Sequence, residues 1–229
     1  MPDRFSFDPA TRRYRNLETG RLVSGATVDN LALTQIDRFK QRLMDVTAGL
    51  FKDDISLGTW EKTVAGLLKT LHIQQHKLGV GNMTQRDYGI VGNKLRSEYR
   101  FLRNFSADIA FGRLSENQIR ARLAQYANAA WGSYQRGKRE GFTRAGIRWE
   151  KRLLNSKVPC KDCPGYAYAG WVPAGFLPNI GENCECQSNC KCTLIYSFAQ
   201  SRPQSQLLLH QKFGWIDGHQ ERLGQKTAI

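Results

Sequence analysis

Six cysteines, the full complement of the chain, lie between positions 160 and 192. They run Cys160-Lys-Asp-Cys163, then twenty intervening residues, then Cys184-Glu-Cys186-Gln-Ser-Asn-Cys190-Lys-Cys192. Thiolates are soft donors, and two close pairs about twenty residues apart is the spacing at which two turns deliver two sulfurs each to one tetrahedral Zn²⁺. The expected ligands are Cys160, Cys163, Cys190 and Cys192, with Cys184 and Cys186 as the rival second pair. A four-thiolate site leaves no position open for water or substrate, so the zinc is expected to be structural. Its binding free energy replaces the core that so small a segment lacks. Six is also an even number, and disulfides are the alternative in an oxidising medium.

The remaining chemistry-bearing residues are sparse. His72 and His76 stand four apart in a helical stretch and present both imidazoles to one side. The pattern His72-Ile-Gln-Gln-His76 lacks the glutamate of a zinc-hydrolase helix, which favours a satisfied structural pair. His210 and His219 have no evident partners. There is no Gly-Lys-Ser/Thr phosphate loop, no Gly-x-Ser-x-Gly turn and no acidic cluster of nuclease type. Nothing in the residue pattern argues for an enzyme.

Charge is the second strong signal. Thirty-four Lys and Arg against twenty Asp and Glu leave +14, which points to a polyanionic partner, either nucleic acid or an acidic protein ring. Residues 84–157 alone hold sixteen basic and six acidic side chains. Arg96, Arg100 and Arg103, at steps of four and three, share one helix face; Arg120 and Arg122 open the next helix, and Arg136, Lys138 and Arg139 lie near its end. These eight are the candidate nucleic-acid or acidic-partner contacts. Binding there would be sequence-neutral, because no helix-turn-helix or Cys₂His₂ finger is present.

The elements that position these residues follow from periodicity. Residues 1–26 read as an N-terminal arm with a small hairpin around Thr19-Gly20, marginal alone and therefore lying on a partner or on the helical body. Residues 27–157 read as a basic helical domain of four helices. Thr27 caps the first, whose apolar face includes Val28, Ile36, Phe39 and Leu43. Ser56 caps the second, with Trp60, Val64, Leu68 and Leu71. Thr84…Asp87 and Ser115…Gln118 are capping boxes for the third and fourth. The third carries the stripe Tyr88, Val91, Leu95, Tyr99, Leu102 and Phe105, and the fourth runs to about residue 140. Residues 141–157 are expected to be a basic connector. Residues 158–198 form the Cys-rich, zinc-ribbon-like module, ending in a strand from Thr193 to Phe198. Residues 199–229 read as an extended docking tail, with the apolar cluster Leu207, Leu208, Leu209, Phe213, Trp215 and Ile216 as its partner contacts. The fold class is thus mainly α: an elongated helical bundle, a small metal module and a tail. No stretch is suited to a bilayer, since Tyr166–Ile180 is broken by Pro173 and Pro178. No secretory leader is seen, so maturation in a cytoplasm is expected.

With these elements in place, the order resembles a tailed-bacteriophage minor head protein of the Mu F-like, or head-morphogenesis, family. The resemblance is carried by Cys160-x-x-Cys163, by Gly170-Trp171 and Leu177-Pro178…Gly181, and by Asn189-Cys190-Lys-Cys192. Further upstream, Leu57-Gly-x-Trp60, Met83-Thr84-x-x-Asp87-Tyr88-Gly89 and Leu114-Ser115-x-x-Gln118-Ile119 are similar to the helical region of proteins encoded beside portal and capsid components. Where relatives carry a histidine ahead of the last cysteine pair, this chain has Cys184 and Cys186. The resemblance implies a virion head component at the portal vertex, made in the host cytoplasm. It would act in capsid assembly and in DNA packaging or retention. Its implied partners are portal or major capsid protein, packaged DNA and further copies of itself in a ring. The alternatives are a zinc-containing nucleic-acid-binding protein and a capsid-decorating protein.

Overall fold

A computed structural model describes residues 5–8 and 10–203 of the chain. The tail contacts expected at Leu207, Leu208, Leu209, Phe213, Trp215 and Ile216 lie outside the described residues. The protein is mainly helical. A three-stranded meander, β1 (Phe5–Asp8), β2 (Arg13–Asn16) and β3 (Leu22–Val23), leads into four long helices, α1 (Gly25–Phe51), α2 (Leu57–Val80), α3 (Gln85–Ala110) and α4 (Glu116–Arg144). A second antiparallel sheet follows, in the order β5-β4-β6, formed by β4 (Trp149–Leu153), β5 (Val172–Pro173) and β6 (Thr193–Ser197), with the short helix α5 (Asp162–Tyr168) between β4 and β5.

Local chemistry explains the helix starts. Ser56 accepts from the Thr59 amide, and both capping boxes close, Thr84 with Asp87 and Ser115 with Gln118. The first helix starts earlier than expected. Ser24 is its cap and accepts from Thr27 N at 3.1 Å, while the two hydroxyls bond each other at 2.9 Å. Thr27 therefore sits inside the first turn. The fourth helix runs beyond residue 140, through Gly141 to Arg144, and ends before Gly146, whose φ of 81° is left-handed.

α4 is the central element, packing on α1, α2 and the second sheet. It crosses α2 at backbone contact: a Cβ on Gly79 would stand 2.5 Å from Lys138 N, and one on Gly137 would strike the His76 carbonyl. The meander lies on this crossing. Tyr14 donates to Gly79 O at 2.9 Å, and Phe7 packs on Phe142 in a tilted ring pair 4.5 Å between centres. The hairpin around Gly20 thus gains a third strand and lies on the helical body.

One expected face is displaced. Tyr88 is exposed, and Asp87 is buried in its place, with Val91, Leu95, Leu102 and Phe105 completing the inward side of α3. Asp87 accepts from Thr84 N and Oγ1 at 2.6 Å each, from Arg144 at 2.5 Å and from His76 Nε2 at 3.1 Å. It ties the end of α2, the start of α3 and the end of α4 together. Burial alone would raise its pKa, but the Thr84 and Arg144 hydrogen bonds outweigh that and hold it well below the usual carboxylate range.

His72 and His76 are fully buried structural residues. His72 Nδ1 lies 2.7 Å from Ser133 Oγ, and its Nε2 has no hydrogen-bond partner. Burial, with Lys94 adding to it, pushes the His72 pKa down to about 3. Between that value and the unfolded histidine value of about 6.5, the unfolded chain binds the extra proton. Stability is therefore expected to fall as pH drops below 6.5, by about 1.4 kcal/mol per pH unit for this one group. Asp87 adds its own loss only below about pH 3.9, as its depressed carboxylate is protonated. Urea denaturation at pH 7, 6 and 5 checks this. His72→Gln should show a flatter profile than the parent, and equal slopes would rule the histidine out as the cause.

Candidate metal centre

Residues 148–198 form a clamp on α4. β4, expected as a connector, is the middle strand of the second sheet. It pairs with β6 from Trp149↔Ser197 to Leu153↔Thr193 and with β5 at Trp149↔Pro173. Trp131 Nε1 donates to Cys192 O at 3.0 Å, and Leu194 N donates to Gln135 Oε1 at 3.3 Å. Gly132 lets the chain at Ile180 approach, since a Cβ there would stand 2.8 Å from Ile180 O. The helical body and the Cys-rich module therefore share one core.

All six cysteines are free thiols. The sulfurs of Cys163, Cys184, Cys186 and Cys190 all lie within 4.8 Å of one another. Individual separations are 3.5 Å for Cys184–Cys186, 3.6 Å for Cys163–Cys186 and 3.9 Å for Cys163–Cys190. These are far beyond a disulfide bond of about 2.05 Å. They match the edge of about 3.8 Å that a sulfur tetrahedron has when each metal–sulfur bond is about 2.3 Å. The four residues thus fit one metal ion.

This set differs from the expected ligands Cys160, Cys163, Cys190 and Cys192. Cys163 and Cys190 are in it, Cys160 and Cys192 are not, and Cys184 and Cys186 take their places. One sulfur comes from α5 and three from a single loop. That loop turns on itself through Gln187 N to Cys184 O at 3.1 Å, Asn189 N to Cys186 O at 2.8 Å and Cys190 N to Gln187 O at 3.0 Å. Asn183 and Gln187 hold left-handed φ values of 51° and 40° to make those turns. Such values cost a non-glycine residue about 1 kcal/mol or more each, which the closed cluster offsets. The Cys184-x-Cys186-x₃-Cys190 spacing is the sequence signal for this loop. Cys192 instead immediately precedes β6, and its carbonyl is taken by Trp131.

Electrostatics fit an anionic thiolate cluster. Arg152, wholly buried, places Nη1 3.9 Å from Cys163 Sγ and lies over the Tyr166 ring at 4.6 Å. Its Nη2 donates to Pro178 O at 2.5 Å and Asn179 O at 3.3 Å. Thiol hydrogen bonds from Cys184 and Cys192 push the Cys190 pKa down, and the same contacts push Cys184 and Cys192 up. Burial works against ionisation of Cys160, but the Cys163 and Cys186 amides outweigh it and bring that thiol down to about 7.

The eight basic candidates divide. Lys138 and Arg139 are buried, contrary to a surface role. Lys138 Nζ pairs with Asp29 at 2.9 Å. Arg139 binds Glu150 at 2.9 Å, Asn179 at 3.0 Å and Leu177 O at 2.7 Å. Both hold the fold together. Arg136 is half-buried beside Glu140 and Glu182, Arg122 pairs with Asp108 at 2.8 Å, and Arg120 lies 3.7 Å from Glu116. Arg96, Arg100 and Arg103 are exposed on α3 with no ion-pair partner among the described residues. Exposed Phe101 lies beside Arg100, 5.3 Å from the guanidinium carbon to the ring centre.

No described helix is long and apolar enough to cross a membrane. Compared with known proteins, no family model, no curated protein and no solved structure matches this chain.

Proposed function

We propose that this chain is a structural component of a tailed-bacteriophage head, a minor head or portal-vertex protein that acts in capsid assembly and in DNA packaging or retention. The observation that carries a non-catalytic reading is the four-thiol cluster. Four sulfurs at tetrahedral spacing fill every position of one ion, which then holds shape and polarises no substrate. Zinc suits four soft donors in that geometry. The landmarks around the thiols support the phage assignment, and the α3 face of Arg96, Arg100 and Arg103 supports a polyanionic partner, packaged DNA or an acidic portal ring.

Cryo-electron microscopy of purified particles tests the placement. A few copies at one vertex are expected. Hundreds of copies spread over the shell would favour a decorating protein, and absence from particles would end the reading. DNA contact has its own readout: duplex binding by the full chain should weaken steeply between about 50 and 200 mM salt. Replacing Arg96, Arg100 and Arg103 together by glutamine should lower the logarithmic salt slope by about 2.7, for three lost phosphate contacts. Salt-independent or absent binding removes DNA from the partners.

A further inference from the structure

Residues 96–111, the later part of α3 and its C-cap, carry two carboxylates, and both are taken. Glu98 is buried with Lys94 at 2.7 Å, and Asp108 accepts from Arg122 at 2.8 Å. Arg96, Arg100 and Arg103 therefore have no anion on their own segment to answer them. Two phenyl rings share this exposed side. With the Arg100 guanidinium 5.3 Å from its ring centre, Phe101 is still 53 % exposed; with that of Arg113 at 4.7 Å, Phe111 is still 69 % exposed. At about 100° per residue, Arg103, Arg96, Arg100, Phe111 and Phe101 follow one another round the helix within about 160°.

We propose that this face binds single-stranded nucleic acid, its arginines holding phosphates while Phe101 and Phe111 stack on unpaired bases. The proposal rests on the polyanion reading of α3 above and narrows the partner from any polyanion to a single strand. Three unpaired cations would serve a duplex, a single strand or an acidic protein alike. The rings decide between them. A duplex turns phosphates and base edges outward, and its bases stack about 3.4 Å apart along each strand, so their faces are closed to a phenyl ring. Phe101 and Phe111 are ten residues apart in sequence, about 15 Å along the helix axis, so two bases must leave their stack and spread to meet both. An acidic protein surface could pair with the arginines, but the negative face of a phenyl ring repels carboxylates. An unpaired base stacks on that face, and a guanidinium beside it adds a cation–π attraction. A cation next to a bare ring, present at both positions, sets a phosphate site beside a stacking platform, which is what one unpaired nucleotide needs.

Fluorescence anisotropy of the full chain, with a labelled oligothymidylate of about 20 nucleotides and with a duplex of equal length, tests this. The parent should bind the single strand more tightly than the duplex. Phe101→Ala/Phe111→Ala should weaken single-strand binding about 25-fold or more, from about fivefold or more for each lost base stack, and should leave duplex binding unchanged. Stacking releases no counterions, so that loss should be the same at low and high salt. Replacing Arg96, Arg100 and Arg103 by glutamine should instead lower the single-strand salt slope by about 2.1. Both rings are exposed, so the alanine variant should keep the parent's far-ultraviolet circular dichroism. Phe101→Leu/Phe111→Leu keeps the apolar bulk and should stay well below the parent in single-strand affinity; full recovery with leucine overturns stacking. A parent that prefers the duplex, an alanine variant with unchanged single-strand affinity, or an equal loss on both nucleic acids overturns the proposal and leaves the polyanion reading standing. Binding to neither form overturns the proposal and removes DNA from the partners as well.

Discussion

Gly137→Ala is expected to destabilise the protein by about 3 kcal/mol, lowering its Tm by roughly 6–12 °C. In an exposed helix the same change gains about 1 kcal/mol, because alanine is the better helix former. Packing reverses the sign here. A Cβ at 137 would lie 3.0 Å from the His76 carbonyl carbon and 3.1 Å from its Cα. These are backbone atoms of α2, so relief requires the two helices to part. Parting would also strain the Tyr14 bond to Gly79 O and the Phe7–Phe142 ring contact, which rest on the crossing. Gly92→Ala on α3 is the control, since a Cβ there meets nothing within 4 Å. It should stabilise by about 1 kcal/mol. Thermal and urea denaturation of both variants gives the contrast. Two changes of the same sign would mean that α2 and α4 do not cross at these glycines.

Arg152→Met is expected to weaken metal binding by about 10- to 100-fold and to cost about 3 kcal/mol of stability. Methionine fills much of the volume but gives up three things at once: hydrogen bonds to Pro178 O and Asn179 O, the approach to Cys163 Sγ and the position over Tyr166. The carbonyls become buried acceptors without donors, and Cys163 loses the guanidinium that stands 3.9 Å from its sulfur. Arg152→Lys should recover only part of the affinity, because one ammonium cannot serve two carbonyls and a sulfur with the geometry of a planar fork. Competition with a chromophoric chelator measures the affinity, and denaturation with metal bound and removed separates the two losses. An unchanged chelator profile in Arg152→Met would show that the guanidinium acts on the fold alone.

Local rules carried a large share of this structure. The capping boxes at Thr84…Asp87 and Ser115…Gln118, the Ser56 cap and the three-to-four spacing of Trp60, Val64, Leu68 and Leu71 depend on residues within one or two turns. They appear in the structure as expected. β6 was legible from the run Thr193-Leu-Ile-Tyr for the same reason. β4 was not: Trp149–Leu153 carries two basic residues and an acid, and reads as polar until Glu150 meets Arg139 and Arg152 meets Pro178 O.

Taken alone, the sequence determined that the protein is mainly helical, where its four long helices lie, and that the thiols gather in one late segment. Those are properties of short-range spacing. Tertiary structure alone decided which charges are buried and which sulfurs meet. Lys138 reads as a surface cation until α4 brings it to Asp29, 109 residues away in sequence. Arg139 reads the same way until β4 brings Glu150 beneath it. The pairing of Cys163 with the 184–190 loop, in place of a second two-residue knuckle, is set by Trp131 holding the Cys192 carbonyl and by Arg152 holding the turn at Pro178. A buried cation is stable only beside its partner, and a thiol tetrahedron closes only where the backbone turns to meet it. Neither condition is written in the spacing of neighbouring residues.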